Sequence, residues 1–453
     1  MPHMSALVRD YWRDFKMLPL SEQAHRGLFW SFACYILIFA TGYGTREVMP
    51  LVCLIFLLVW YATAWHRSAL RRFGGWWLFL FFFATSIWGT VFSGNVWESF
   101  LHVGRSVNKG FILPFIAMEC VRKERDLRIL VVCMALAFCW QGLDGVWQTI
   151  TGHDFVHGTP PAGGRLSGSL SDYRVGNYMA LLCLPAMGVW WVARGRYARS
   201  VALGLTVLLF APGVYLMYFA YTRNAYIAVM AGLCLWLFVC RRSAVGDGWR
   251  NLLRRNWNWQ AAMGIALVVL LWNLSQEQRF GMEGIAQDGR WDLWRLAWAV
   301  AGENFITGVG FGQYNAAFRA LGLAPTRDPI SISHPHSIYA QLLCESGVVG
   351  LALCLVFLIG MLVWTYRRVR PALLAELDLA ERGLTRRCHW RMTGLLWCAW
   401  GAYLVSGIVG HDFYRMWWQS LVMAHLGVLL GAIVNGPLLH RKAPPPPPGR
   451  SAP

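Results

Sequence analysis

The chain has 453 residues, 57% of them hydrophobic and 14% charged, with 26 tryptophans, 25 phenylalanines and a formal net charge of +18. A soluble domain carries about 25% charged residues, so this composition excludes an ordinary soluble fold, and apolar runs near the roughly 20 residues that cross a bilayer point to a helical membrane protein. The basic balance is then no nucleic-acid signal, because cytoplasmic loops of membrane proteins carry an excess of Lys and Arg.

In chain order, twelve apolar runs predict transmembrane helices over residues 27–44, 48–65, 75–92, 104–121, 129–151, 178–193, 201–221, 224–239, 261–275, 348–366, 392–410 and 420–437. With both ends cytoplasmic, "RDYWRDFK", "HRSALRR", "RKERDLR", "RGRYAR", "CRRSAVGDGWRNLLRR" and the segment 367–391 share one side and hold most of the 41 basic residues. The first run has no small-residue cleavage site after it and is read as a span. This divides the chain into helices one to nine (1–275), a long non-cytoplasmic loop (276–347), helices ten to twelve (348–437) and a proline-rich cytoplasmic tail (438–453) that ends "APPPPPGRSAP", a polyproline II composition.

Most of the twelve cysteines fall inside apolar runs and none forms a CxxC, so they are read as small hydrophobes. Trp76, Trp77, Trp190, Trp191, Trp417 and Trp418 lie at span ends, where an aromatic belt is expected.

Two long connections, 152–177 and 276–347, lie opposite the basic side, and function is sought there. The longer contains "GRWDLWRLAWAVAGEN", whose Trp291, Leu293, Trp294, Leu296 and Trp298 alternate with Arg290, Asp292 and Arg295 as an amphipathic helix would. Such a helix lies at the membrane interface or caps the bundle, and its tryptophans can stack on sugars or anchor at the surface. "TGVGFGQY" follows. With no Walker lysine after it and no strand before it, the stretch reads as a tight turn and not as a phosphate loop.

"SHPHSIYAQLLCESGVVG", residues 333–350, then leads into the tenth span. Ser333 as cap and Pro335 in the first turn suit a helix start, which would put His336 at a helix N-terminus near the membrane surface. The partial positive charge there favours a neutral imidazole, able to accept a proton. His334 and His336, two residues apart, would face different sides of a helix, and no HExxH occurs, so neither a metal site nor a cofactor site is expected. A structural role and a general base remain for His336.

Cations gather on the same side. Arg223 sits in the near-absent loop of "YFAYTRNAYIAVM", Arg290 opens the amphipathic helix, Arg165 and Arg174 lie in the shorter long loop, and His102, Arg105 and Lys109 are spaced as on one helical face. Each could bind lipid headgroups. Together, opposite the basic side, they suggest an anionic ligand, and phosphates match the guanidinium fork. Without ATP at that face, group transfer needs a donor carrying its own leaving group, as a lipid-linked diphosphate sugar does.

His336, Ser337, nine residues, Gly347, two residues and Gly350 resemble, without a gap, the H-[NSQ]-x9-G-x-x-[GTY] signature of the bacterial O-antigen ligases, also called lipid A-core:surface polymer ligases. These share a superfamily with the O-antigen polymerases and the protein O-oligosaccharyltransferases. The resemblance implies an all-α polytopic membrane protein of glycosyltransferase C-like architecture in the bacterial inner membrane, with its active site facing the periplasm. It implies metal-independent, inverting transfer of O-antigen from undecaprenyl diphosphate to lipid A-core, with His336, Arg223 and Arg290 at the centre; by their place in the sequence, Arg165, Arg174, His102, Arg105, Lys109 and His334 are further substrate-binding candidates. The partners it implies are those two lipids and the surrounding membrane lipids, with no nucleic acid. One dominant late loop favours a ligase over a polymerase, and the absence of a further periplasmic region after the last span argues against a protein O-oligosaccharyltransferase. A transporter of the same lipid is the third reading. It would place charges near the midplane and show inverted repeats, which this sequence does not. Gly347 and Gly350 are expected to serve close helix packing.

Overall fold

A computed structural model describes residues 16–106, 108–161, 163–170, 175–241, 289–323, 334–409 and 416–440, and no strand forms among them. Their helices are α1 (Leu20–Ile38), α2 (Tyr43–Ala64), α3 (Ala69–Arg72), α4 (Leu78–Val91), α5 (Val96–Ser106), α6 (Asn108–Cys120), α7 (Glu124–Thr151) and α8 (Val175–Ala186). There follow α9 (Val189–Arg194), α10 (Arg199–Phe219), α11 (Arg223–Cys240), α12 (Gly289–Glu303), α13 (Tyr314–Ala320), α14 (Ile338–Glu381), α15 (His389–Ser406) and α16 (Met416–His440).

Seven spans among the described residues are long and apolar enough to cross a membrane, within α2, α7, α8 with α9, α10, α11, α14 and α16. In hydrocarbon every backbone N–H and C=O must be satisfied inside the protein, and helices do this alone. The chain is therefore an all-α, multi-pass membrane protein.

The twelve predicted spans do not all reappear as such. The run 75–92 becomes the 14-residue α4, and the run 104–121 includes residue 107, which lies outside the described residues, with helix on either side of it. The run 261–275 lies outside the described residues. Helices form over 27–44 and 392–410 as α1 and α15, but neither is among the seven. For α15 the reason is its surroundings. Residues 389–390 and 392–403 are buried, so the helix meets other helices and has no need to be as apolar as one facing lipid. The predicted tenth span, 348–366, is the middle of a far longer helix, and α14 carries the arginines read as a loop on through Glu381.

Helix pairs close on one another through small residues, as in membrane bundles. In α16, a Cβ on Gly427 or Gly431 would stand 2.4 Å from the carbonyl oxygen of Pro114 or Met118 in α6. All twelve cysteines are free thiols, buried except for Cys34 and Cys234, and thus fill space as small hydrophobes.

One local feature sets the geometry of the long connection. Helix α14 is two helices joined at Gly347, whose φ of 66° and ψ of −174° interrupt the ladder. The turn between α12 and α13 docks onto this break through three backbone bonds: the Val309 and Gly310 amides donate to the Cys344 and Glu345 carbonyls, both at 2.9 Å, and the Val348 amide donates to Phe305 O at 2.8 Å. A Cβ on Gly347 would lie 2.2 Å from Ile306 O. The left-handed φ and the close approach both require glycine. Gly347→Ala is therefore expected to destabilise the protein by about 2 kcal/mol or more, read as a lowered thermal-unfolding midpoint in detergent. An unchanged midpoint would mean that the turn does not dock as described.

Candidate active site

His336 stands just outside the first helix of α14, not within it. The helix cap is Ser337, whose Oγ accepts from the Ala340 amide at 3.3 Å. This corrects the expected start at Ser333 and Pro335: Ser333 lies outside the described residues and Pro335 precedes the helix. His336 itself adopts a left-handed φ of 52°. The excursion also corrects the expectation that His334 and His336 face different sides, since their rings lie 4.3 Å apart, centre to centre, at 52°. His334 is buried and His336 half-buried.

The only other non-glycine residue with positive φ among the described residues is Tyr221, at 47°. It makes the turn from α10 into α11, so that Arg223 becomes the first residue of α11. Left-handed backbone in a non-glycine residue is uncommon and gathers at functional sites. Here the two instances flank one structure, the end of α15. Asn224 donates from Nδ2 to Ser406 O at 3.0 Å, and the Ile338 amide donates to the next carbonyl, Gly407 O, at 2.9 Å. Tyr339 adds a bond from its hydroxyl to Leu404 O at 2.7 Å. The start of α11, with Arg223, and the start of α14, with His336, are thus held on consecutive peptides of one helix end.

The loop carrying Arg165 reaches the same turn. Leu166 N donates to Phe219 O at 3.3 Å, and a Cβ on Gly176 would sit 2.6 Å from Thr222 Cβ. Helix α7 pins this loop with two buried side chains. Asp144 accepts from the Phe155 amide at 2.7 Å and from the Ser169 hydroxyl, and Gln148 Oε1 accepts from the Ser167 and Gly168 amides at 2.9 and 3.1 Å. At the loop's tip Asp154 accepts from the Thr159 hydroxyl and from the amides of Val156, His157 and Thr159. Burial pushes the Asp154 pKa up, but the Thr159 hydroxyl and the His157 and Thr159 amides outweigh it and leave the carboxyl below its ordinary range. Arg165 is half-buried, and Arg174 lies outside the described residues.

His102 reaches the site region from α5 through the glycine turn, since a Cβ on Gly312 would be 2.8 Å from His102 Cγ. The single helical face expected for His102, Arg105 and Lys109 spans residue 107, which lies outside the described residues. The side chains of Arg105 and Lys109 lie outside what the structure describes.

Arg290 is the second residue of α12, and its side chain is likewise outside the described part. The helix caps the start of α14. Leu293, Leu296, Ala297, Val300 and Ala301 are buried, and Cys344 Sγ donates to Ala297 O at 3.1 Å, while Trp291 and Trp298 are 57% and 67% exposed. Among the described residues no three or more His, Cys, Asp or Glu side chains stand where they could hold a metal ion.

Sequence reasoning missed Asn224 and the Ser406–Gly407 turn. The available signal was an amide following Arg223 at the head of an apolar run, since a polar side chain in a membrane helix normally marks a partner. The arrangement offers a half-buried imidazole and, on the same helix end, the start of an arginine-led helix. That suits proton transfer beside an anionic group.

The fold is that of a multi-pass helical membrane protein. Residues 205–355, which contain Arg223, Arg290 and the whole histidine signature, match the family model described as O-antigen ligase. No curated protein matches the chain in sequence.

Removing the Asn224 amide leaves Ser406 O with only the bond from the Val409 amide, at 3.3 Å. Asn224→Ala should cost about 0.5 to 1.5 kcal/mol and speed hydrogen exchange at the Ile338 amide, whereas unaltered exchange there would show that the two helix starts are not joined through α15.

Proposed function

We propose that the protein transfers O-antigen polysaccharide from undecaprenyl diphosphate to a sugar hydroxyl of lipid A-core, at the periplasmic face of the bacterial inner membrane, in one inverting and metal-independent displacement. The observation that carries this reading is that the two turns with a left-handed residue, Tyr221 before Arg223 and His336 of the ligase-type signature, lead into helices whose Asn224 side chain and Ile338 amide bond the consecutive Ser406 and Gly407 carbonyls.

In the proposed mechanism His336 takes the proton from the acceptor hydroxyl as its oxygen attacks the anomeric carbon. The bond from that carbon to the diphosphate breaks, and undecaprenyl diphosphate leaves with the electron pair. Arg223 and Arg290 stabilise the negative charge growing on the leaving diphosphate. Arg165, Arg174, His102, Arg105, Lys109 and His334 are assigned to binding the substrates. An O-antigen polymerase would use the same donor and base but a second lipid-linked glycan as acceptor.

Purified protein in detergent with EDTA, given undecaprenyl diphosphate-linked glycan and lipid A-core, should form product on lipid A-core. His336→Ala should lower that rate by about 100- to 10,000-fold while leaving donor binding intact. Arg290→Ala should lose more than Arg290→Lys, and a rate indifferent to both would remove Arg290 from the site. Product that lengthens on the carrier lipid would assign the protein as a polymerase, and movement of the lipid across a bilayer without either product would make it a transporter.

A further inference from the structure

Between α7 and the segment that carries Arg165 the chain makes a tight loop, residues 152–161, to which the proposed reaction gives no part. It folds back along the helix it has just left. The Phe155 amide donates to Asp144 Oδ1 at 2.7 Å, seven residues before the end of α7 at Thr151, and the Phe155 ring stands edge-on to Trp140 and Trp147 at 6.1 and 5.7 Å. That ring is 62% exposed.

The loop's backbone is satisfied as if no water reached it. Asp154, buried beneath the tip, accepts from the amides of Val156, His157 and Thr159 at 3.0, 2.7 and 2.7 Å. The amides of Gly152, Asp154 and Gly158 donate to the Gln148, Thr159 and Asp154 carbonyls, and that of His153 to Thr151 Oγ1. Every amide from Gly152 to Thr159 thus has an acceptor in the protein, and Pro160 and Pro161, which follow, have no N–H. In water an exposed loop does not need this, because water serves its amides. At a membrane it does, since an amide carried away from water without a partner costs free energy.

We propose that residues 153–157 form a lipid-inserting wedge, with the Phe155 ring among phospholipid acyl chains at the margin of the hydrocarbon and the exposed His153 and His157 at headgroup level. Two observations select lipid as the occupant. The ring continues a stripe of exposed apolar residues on α7, Leu136, Leu143, Trp147 and Ile150, in a helix long and apolar enough to cross a membrane. Length gives the second. The 28 residues of α7 make a helix about 42 Å long, against a hydrocarbon core of about 30 Å. Its charged start, Glu124 to Arg128, takes up part of the excess. Folding back by about 10 Å, from Thr151 to Asp144, then returns Phe155 to the hydrocarbon boundary.

The wedge is tied to the candidate site by the two buried side chains of α7. Asp144 holds Phe155 N and the Ser169 hydroxyl, while Gln148 donates to Thr159 O at 3.2 Å and accepts from the Ser167 and Gly168 amides. Tip and return strand therefore move as one piece, and the depth of Phe155 in the leaflet sets the height of the Arg165 segment that docks at Phe219 O. This inference is independent of the reaction the protein catalyses.

The test places p-benzoylphenylalanine at position 155 of the full-length protein in nanodiscs of phosphatidylethanolamine and phosphatidylglycerol, with irradiation and intact-mass analysis. A phospholipid adduct is expected, in a yield within about threefold of that from the same group at Leu143 on the α7 stripe. With the group at Val156 instead, Phe155→Asp should lower the adduct at least tenfold, while the yield at Leu143 in that variant stays unchanged as the sign of an intact fold. A lower yield at 155, or a yield at 156 indifferent to Phe155→Asp, would overturn the proposal. A crosslinked dimer in place of the lipid adduct would overturn it in favour of a second copy of the chain, and replacement of the adduct by one with added free oligosaccharide would overturn it in favour of a sugar-stacking surface.

Discussion

The break in α14 at Gly347 is the constraint on which the rest of this face of the protein depends. Interrupting a helix inside a membrane protein leaves backbone groups that water cannot satisfy, and each costs several kcal/mol unless another segment reaches it. The chain from Phe305 to Gly310 reaches them, accepting from Val348 and donating to Cys344 and Glu345. This fixes the connection between α12 and α13 against α14, and the fixing spreads to α4 and α5. Phe311 N donates to Gly89 O at 3.3 Å, Ser99 Oγ donates to Phe311 O at 2.9 Å, and His102 lies beneath Gly312. The break also sets the direction of the short helix that starts at Ile338. Its first amide therefore meets the end of α15, and His336 is left in a backbone conformation that a helix would never give it.

Two distant stretches of sequence thereby arrive at one place. The turn before α11 and the turn before α14 are more than 100 residues apart, and the Ser406–Gly407 peptides receive both. Both turns hold a non-glycine residue at positive φ, at a cost of order 1–3 kcal/mol each, against a bundle otherwise made of regular helices. Strain kept at two points and nowhere else among the described non-glycine residues favours reading those points as the working part of the molecule. The stretch 205–355 that matches the O-antigen ligase family model contains both.

Much of this was legible in the sequence, and the parts that were not have physical reasons. Apolar runs marked the helices α2, α7, α10 and α11 because each keeps a span long and apolar enough to cross a membrane, even where α7 and α11 carry buried polar side chains. They understated α14, because hydropathy stops at Arg367 while backbone hydrogen bonding does not. Arginines on an extended helix remain compatible with it, as Arg368 shows by lying over the Trp364 ring at 3.7 Å. The histidine was found through its motif, but its conformation was read from local rules, which made Ser333 the cap and Pro335 part of the helix. The cap is Ser337 because the Ile338 amide is claimed by Gly407, a contact 69 residues away that no local rule contains. Gly347 was read as a packing glycine. It does pack closely, and it is also the break itself, a distinction that only its φ reveals.

The central claim is that His336 acts as a base on the acceptor at this helix start, and the most direct measurement is the rate of His336→Ala supplied with free imidazole over a range of pH. The account predicts partial recovery of transfer that follows the concentration of unprotonated imidazole. Recovery that follows the imidazolium ion, or a variant that already transfers at the wild-type rate without imidazole, would contradict it.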